Sequence, residues 1–149
     1  MKNNNKGFSL LELLIVVAII LIIATIAIPS LLRSRQAANE SAAVANVRTL
    51  NTAQVTYLSS AAGSYGDLAA LIAAKLIDDT FDTTTTGRPK AGYNYNITLG
   101  SSNQDYTIDA VPASSNTGRY GYYSTPDAVV RYSTDTTLAP AGFDGKSVQ

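Results

Sequence analysis

The chain lacks cysteine, histidine and tryptophan altogether. Without cysteine there is no disulfide, no thiol nucleophile and no thiolate metal site, so any loop must be held by packing and hydrogen bonds. Without histidine the usual general base and the commonest zinc ligand are gone as well. Charge is scarce too: 15% of the 149 residues are charged, against roughly 25% in an ordinary soluble domain. Eleven cations balance eleven anions, so no basic excess points to nucleic acid and no net charge points to a partner of either sign. No glycine-rich phosphate loop stands in the sequence. The expectation is a chain that is not an enzyme and carries no cofactor and no metal.

What is abundant is apolar surface, and it is unevenly spread. Apolar residues reach 46%, and residues 8–28 read FSLLELLIVVAIILIIATIAI, with Glu12 the one ionisable side chain among them. At about 1.5 Å per residue, a helix of that length reaches roughly 30 Å, enough to cross the hydrocarbon core of a bilayer. A cleaved secretory signal would have a shorter apolar run and a small-residue cleavage site, whereas this run ends in Pro29-Ser30-Leu31-Leu32-Arg33. A core helix greasy on every side could hardly be surrounded by one small domain. The reading is a membrane span.

Two features of the span stand out. Glu12 lies about one turn inside the apolar run, where a carboxylate either snorkels to the headgroups or waits for a cationic partner. Pro29 cannot donate to the Thr25 carbonyl, so the helix is expected to weaken or kink there. Lys2 and Lys6 flank one end and Arg33 and Arg35 the other, which leaves orientation open on charge alone.

Lys6-Gly7-Phe8-Ser9-Leu10-Leu11-Glu12-Leu13-Leu14, followed by the apolar run and Pro29, resembles the N-terminus of type IV pilins and of type II secretion pseudopilins. The resemblance implies a basic leader, residues 1–7, cut by a prepilin peptidase between Gly7 and Phe8. It implies N-methylation of Phe8 and a role for Glu12, fifth from the cut, in drawing subunits into a filament. It also implies an orientation, with the leader cytoplasmic and the rest outside. The physical logic is simple. Cleavage creates an amine at Phe8, and a sister chain shifted by about 6 Å along the helix axis could set that amine against Glu12. Implied partners are identical and related pilin subunits, the peptidase/methyltransferase, an inner-membrane assembly platform with its ATPase, and the membrane itself; no nucleic acid is indicated. The expected location is the inner membrane as precursor, then an extracellular or periplasmic filament.

Beyond Pro29 the helical signal continues without glycine or proline to about Ala62, with Val44, Val47, Leu50, Tyr57 and Leu58 near one face. The expected organisation is therefore a leader (1–7), a transmembrane and polymerisation helix (8–29), an amphipathic half (30–62) and a globular head (63–149). In the head, Gly63-Ser64-Tyr65-Gly66 is a turn, and Asp67 can cap a short helix over 67–77. Residues 78–89, with three acids and a threonine run, read as a solvated polar loop. Residues 93–99 and 106–110 alternate apolar and polar, the period of a half-buried strand. Further strands are expected over 119–124 and 129–132. Tyrosines crowd these strands, which suits a sheet packed on one face and wet on the other. The fold class is thus α+β, a long N-terminal helix against a small antiparallel meander.

Other candidates are weaker. Asp127, Asp135 and Asp144 are C-terminal acids without the dense oxygen spacing of a calcium loop. Asn39-Glu40-Ser41 and Asn96-Ile97-Thr98 match the N-glycosylation tripeptide. Two functional readings are carried forward. One is a structural filament subunit, with a type IV pilus favoured and the major secretion pseudopilin as the alternative. The other is a membrane-tethered periplasmic binding domain, which would have no need of Gly7, Phe8 and Glu12 in this pattern.

Overall fold

A computed structural model describes residues 8–61, 63–133 and 145–148. The chain divides into two compact units, residues 1–34 and 35–149. One helix, α1 (Leu10–Ser60), contributes to both. It starts where Leu13 N–H bonds the Ser9 carbonyl at 3.2 Å, and the acidic Glu12 in its first turn complements the helix dipole. It runs unbroken past Pro29 and ends at Ser60 rather than at Ala62, with Ala61 already in the turn.

In the unit 35–149 the 67–77 segment is corrected to a shorter helix. α2 (Leu68–Ala73) is capped by Asp67, whose Oδ1 accepts from Ala70 N–H at 2.8 Å. It stops early because Lys75 takes a left-handed φ of 56°. Lys75 N–H then bonds the Ile72 carbonyl and Leu76 N–H the Leu71 carbonyl. This is the Schellman closure that usually falls to glycine, and with lysine in its place the sequence gives no stop signal.

The run 78–89 is not merely a polar loop. It folds as a 3₁₀ turn (Asp79–Phe81) and a single-turn helix, α3 (Thr83–Thr86), started by the Asp78 and Asp82 carboxylates. Phe81 is buried in the core.

Five antiparallel strands follow in a meander: β1 (Tyr93–Leu99), β2 (Tyr106–Pro112), β3 (Gly121–Ser124), β4 (Arg131–Ser133) and β5 (Lys146–Ser147). The third and fourth strands are shorter than expected, the fourth begins two residues later, and the two-residue β5 left no readable signal. Tyr93, Tyr95, Ile97, Tyr106, Ile108, Ala110 and Tyr122 turn inward. They share one core with Ala43, Val47, Leu50 and Ala53 of α1 and with Leu71, Ile77 and Phe81. The expectation of one wet face needs correction at β3, where all four residues are buried. Tyr123 points to the opposite face from Tyr122, yet its ring is covered by Arg131 and its hydroxyl accepts from Gly145 N–H at 2.9 Å. Gly118 is required by close packing, because a Cβ there would overlap the Tyr93 hydroxyl.

Candidate functional site

Residues 8–34 form an apolar surface that nothing else in the described chain covers. Every large apolar side chain from Leu10 to Ile28 is exposed, Leu10 at 80% and Ile26 at 73%. The stretch is long and apolar enough to cross a membrane, and none of it is buried. The backbone of such a segment is satisfied within the helix, so only side chains face the surroundings, the condition for life in lipid. Contiguous apolar surface on this scale is rare on a soluble monomer and marks a site of interaction with lipid or other chains.

Phe8 lies just before the helix and is exposed. Glu12 is exposed one turn in, with no hydrogen-bond or ion-pair partner among the described residues. Gly7, with the rest of the leader, lies outside the described residues. Pro29 sits inside α1, and four residues earlier Thr25 Oγ1 donates to the Ile22 carbonyl at 2.7 Å. The structure thus places Phe8 just ahead of α1 and Glu12 in its first turn, and brings no partner to Glu12 among the described residues.

The unit 35–149 uses the same helix in the opposite way. Its inward face carries a row of polar side chains among the apolar ones, and each grips the head. Gln36 and Asn39 donate to the Ser115 and Thr117 carbonyls, both at 2.9 Å. Glu40 takes Arg119 in a fork, Nε at 3.0 Å and Nη2 at 2.9 Å, and also accepts from its backbone N–H at 2.9 Å. Asn46 donates to the Tyr95 hydroxyl at 2.9 Å. Asn51 donates to Ser124 Oγ at 2.9 Å and accepts from the Tyr106 hydroxyl at 3.1 Å. Gln54 closes both its amide ends on Gly66. Among the described residues no buried side-chain N or O lacks a partner. An unpaired buried polar group costs about 1–3 kcal/mol, so these pairs fix the head's register on α1 as well as stabilising it.

The electrostatics follow the same geometry. Burial pushes the Glu40 carboxyl up, and the Arg119 hydrogen bonds and charge outweigh it, so the group titrates below its ordinary value. Burial raises the Tyr95 and Tyr106 hydroxyls to about 12. Nothing in this array is poised for proton transfer near neutrality. Among the described residues no group of three acids could hold a metal ion. Asp127 is instead paired with Arg131, while Asp135 and Asp144 lie outside the described residues.

Sequence reasoning picked out Val44, Val47 and Leu50 but passed over the polar row. Its signal was present: residues 36, 39, 40, 46, 51 and 54 share the spacing of the apolar face. Polar residues on a core-facing stripe announce partners across the core.

The prokaryotic N-terminal methylation motif family matches residues 2–28. The type IV major pilin protein PilA of Myxococcus xanthus is 47% identical over 55 residues, 37% of this chain and 25% of that protein, so this match spans only a quarter of the relative's length. The type IV wide pilus major component PilA4 of Thermus thermophilus is 33% identical over 126 residues, 85% of this chain and 92% of that protein. No solved structure matches the chain. Both relatives are named as pilus components, which favours the pilus reading over the secretion-pseudopilin alternative. With the methylation motif at one end, the helix-and-meander head behind it and a relative matched along nearly its whole length, the chain belongs to the type IV pilin family.

Proposed function

We propose that the chain is made as a membrane precursor, cut between Gly7 and Phe8, N-methylated at Phe8 and polymerised as a subunit of a surface filament. The observation that carries this reading is the uncovered apolar stretch of α1 with the unpartnered Glu12 near its start. In the precursor, lipid covers the stretch; in the filament, sister helices do. Glu12 then supplies the directional element that apolar packing lacks. A carboxylate in an apolar surrounding strongly favours a cationic neighbour, and the methylated Phe8 amine of an adjacent chain meets that need. Pro29 leaves the Thr25 carbonyl without its helical donor and gives the segment a point at which it can bend as subunits pack. The processing enzyme and an inner-membrane platform with its ATPase are the partners this route requires. The head has no catalytic task in it.

Intact mass spectrometry of filaments sheared from cells tests the proposal. A main species beginning at monomethylated Phe8 is the expected result. Processed chain that stays in the envelope and never enters the sheared fraction would move the assignment to a secretion pseudopilus. Normal cleavage of a Gly7→Val variant would overturn the cut site.

A further inference from the structure

The two N-glycosylation tripeptides are not equivalent in the folded chain. Asn39 lies on α1 with its Nδ2 bonded to the Thr117 carbonyl, so tightly packed that a Cβ on Gly92 would stand 2.8 Å from it. The hydroxyl of its Ser41 is bonded back to the Ala37 carbonyl within the helix. That amide is half-buried and already bonded to the head.

Asn96 is the opposite case. It sits on β1, the first strand of the sheet order, whose burial alternates so that Asn94, Asn96 and Thr98 are exposed. Asn96 Nδ2 donates to Thr98 Oγ1 at 3.1 Å, so the amide and the hydroxyl of the tripeptide lie side by side on one face. Beside Asn96 opens a recess of about 260 Å³, lined in part by Asp67, Leu68, Asp82, Thr84 and Thr85. Carboxylates and hydroxyls around a small apolar floor suit a sugar ring, whose hydroxyls need both acceptors and donors while its C–H face needs none.

We propose that Asn96 is an N-glycosylation site and that its first sugar lies in this recess. The donor is a polyprenyl-diphosphate-linked oligosaccharide. Asn96 Nδ2 attacks the anomeric carbon, a C–N bond forms, the C–O bond to the diphosphate breaks and the lipid diphosphate leaves. The amide gives up one proton to a base of the transferase. The inference rests on the export reading above, since the acceptor must reach the side of the membrane where such transfer occurs.

The test is peptide mass spectrometry on filaments sheared from the native producer, reading three segments of the same chains. Peptide 91–119 is expected to carry a glycan increment, peptide 36–48 to be unmodified, and the N-terminus to be methylated Phe8. Asn96→Gln and Thr98→Val should each abolish the increment, whereas Thr98→Ser should keep it. Both substituted positions are exposed, so the head is expected to remain folded, and filament yield reports on that. A bare peptide 91–119 from chains that begin at Phe8 would overturn the site, as would an increment that survives Thr98→Val. Absence of the chain from the sheared fraction would overturn the filament reading instead, and chains there that begin at Met1 would overturn only the cut site.

Discussion

Within one helix, residues 10–28 and residues 35–60 solve the problem of an apolar face in opposite ways. The first stretch shows its leucines and isoleucines on every side, and no described part of the chain covers them. The second buries Ala43, Val47 and Leu50 completely, and among the described residues no buried polar side-chain atom beside them lacks a partner. The difference separates two kinds of stability. The head's apolar burial is intramolecular and present in the single chain, whereas the N-terminal stretch has none among the described residues and, in the function proposed above, gains it from lipid or sister subunits. A change in one stretch should therefore leave the other's property nearly untouched.

The largest expected effect is on assembly. An Ile19→Asp substitution places a charge in the uncovered stretch, where insertion into lipid costs about 2.5–3.5 kcal/mol. Filaments should vanish from the sheared fraction, while the head's near-ultraviolet circular dichroism melt in detergent stays as in the parent chain. A shifted melt would break the division between the two stretches.

Next comes Leu50→Ala, which opens a cavity in the core and should lower the head's unfolding free energy by about 2–5 kcal/mol. Cleavage and methylation at Phe8 should proceed as before. Denaturant unfolding alongside N-terminal mass reads both.

Glu40 gives a smaller, pH-dependent effect. Its carboxyl is held below the ordinary value in the fold, so the stability it contributes is present at pH above the unfolded value of about 4.3. That stability is lost as pH falls through the folded value. Glu40→Gln should flatten this part of the stability-versus-pH curve, measured by thermal melts through the acid range. An unchanged curve would mean that the Arg119 fork contributes nothing.

The smallest effect is expected at Val55, which lies on α1 in the head but is exposed. Val55→Ser should alter head stability by no more than about 0.5 kcal/mol. A larger loss would show that this face of α1 also depends on a cover.

This contrast also explains what could be read from the sequence. The apolar run, the continuation of α1, and β1 and β2 were legible because each is a long segment with a single period. Residues 93–99 alternate so regularly that their burial follows suit. The failures were local. Lys75 ended α2 in a conformation that lysine seldom takes. Phe81, one aromatic ring in a polar run, was the overlooked sign that residues 78–89 pack rather than float. The adjacent Tyr122 and Tyr123 could not both face one side of a strand, and that pair foretold the second covered face. Gly7, Phe8 and Glu12 came from a motif, which carries processing chemistry that no fold displays.

The central claim is that other subunits cover the apolar stretch of α1 in the filament. Because the chain has no cysteine, a single thiol can report on it directly. Ile19→Cys and Asn94→Cys variants would be assembled into filaments and exposed to a water-soluble maleimide. The account predicts that the thiol at position 19 stays unlabelled in intact filaments over the time in which the thiol at position 94 reacts to completion. Equal labelling of the two would contradict it.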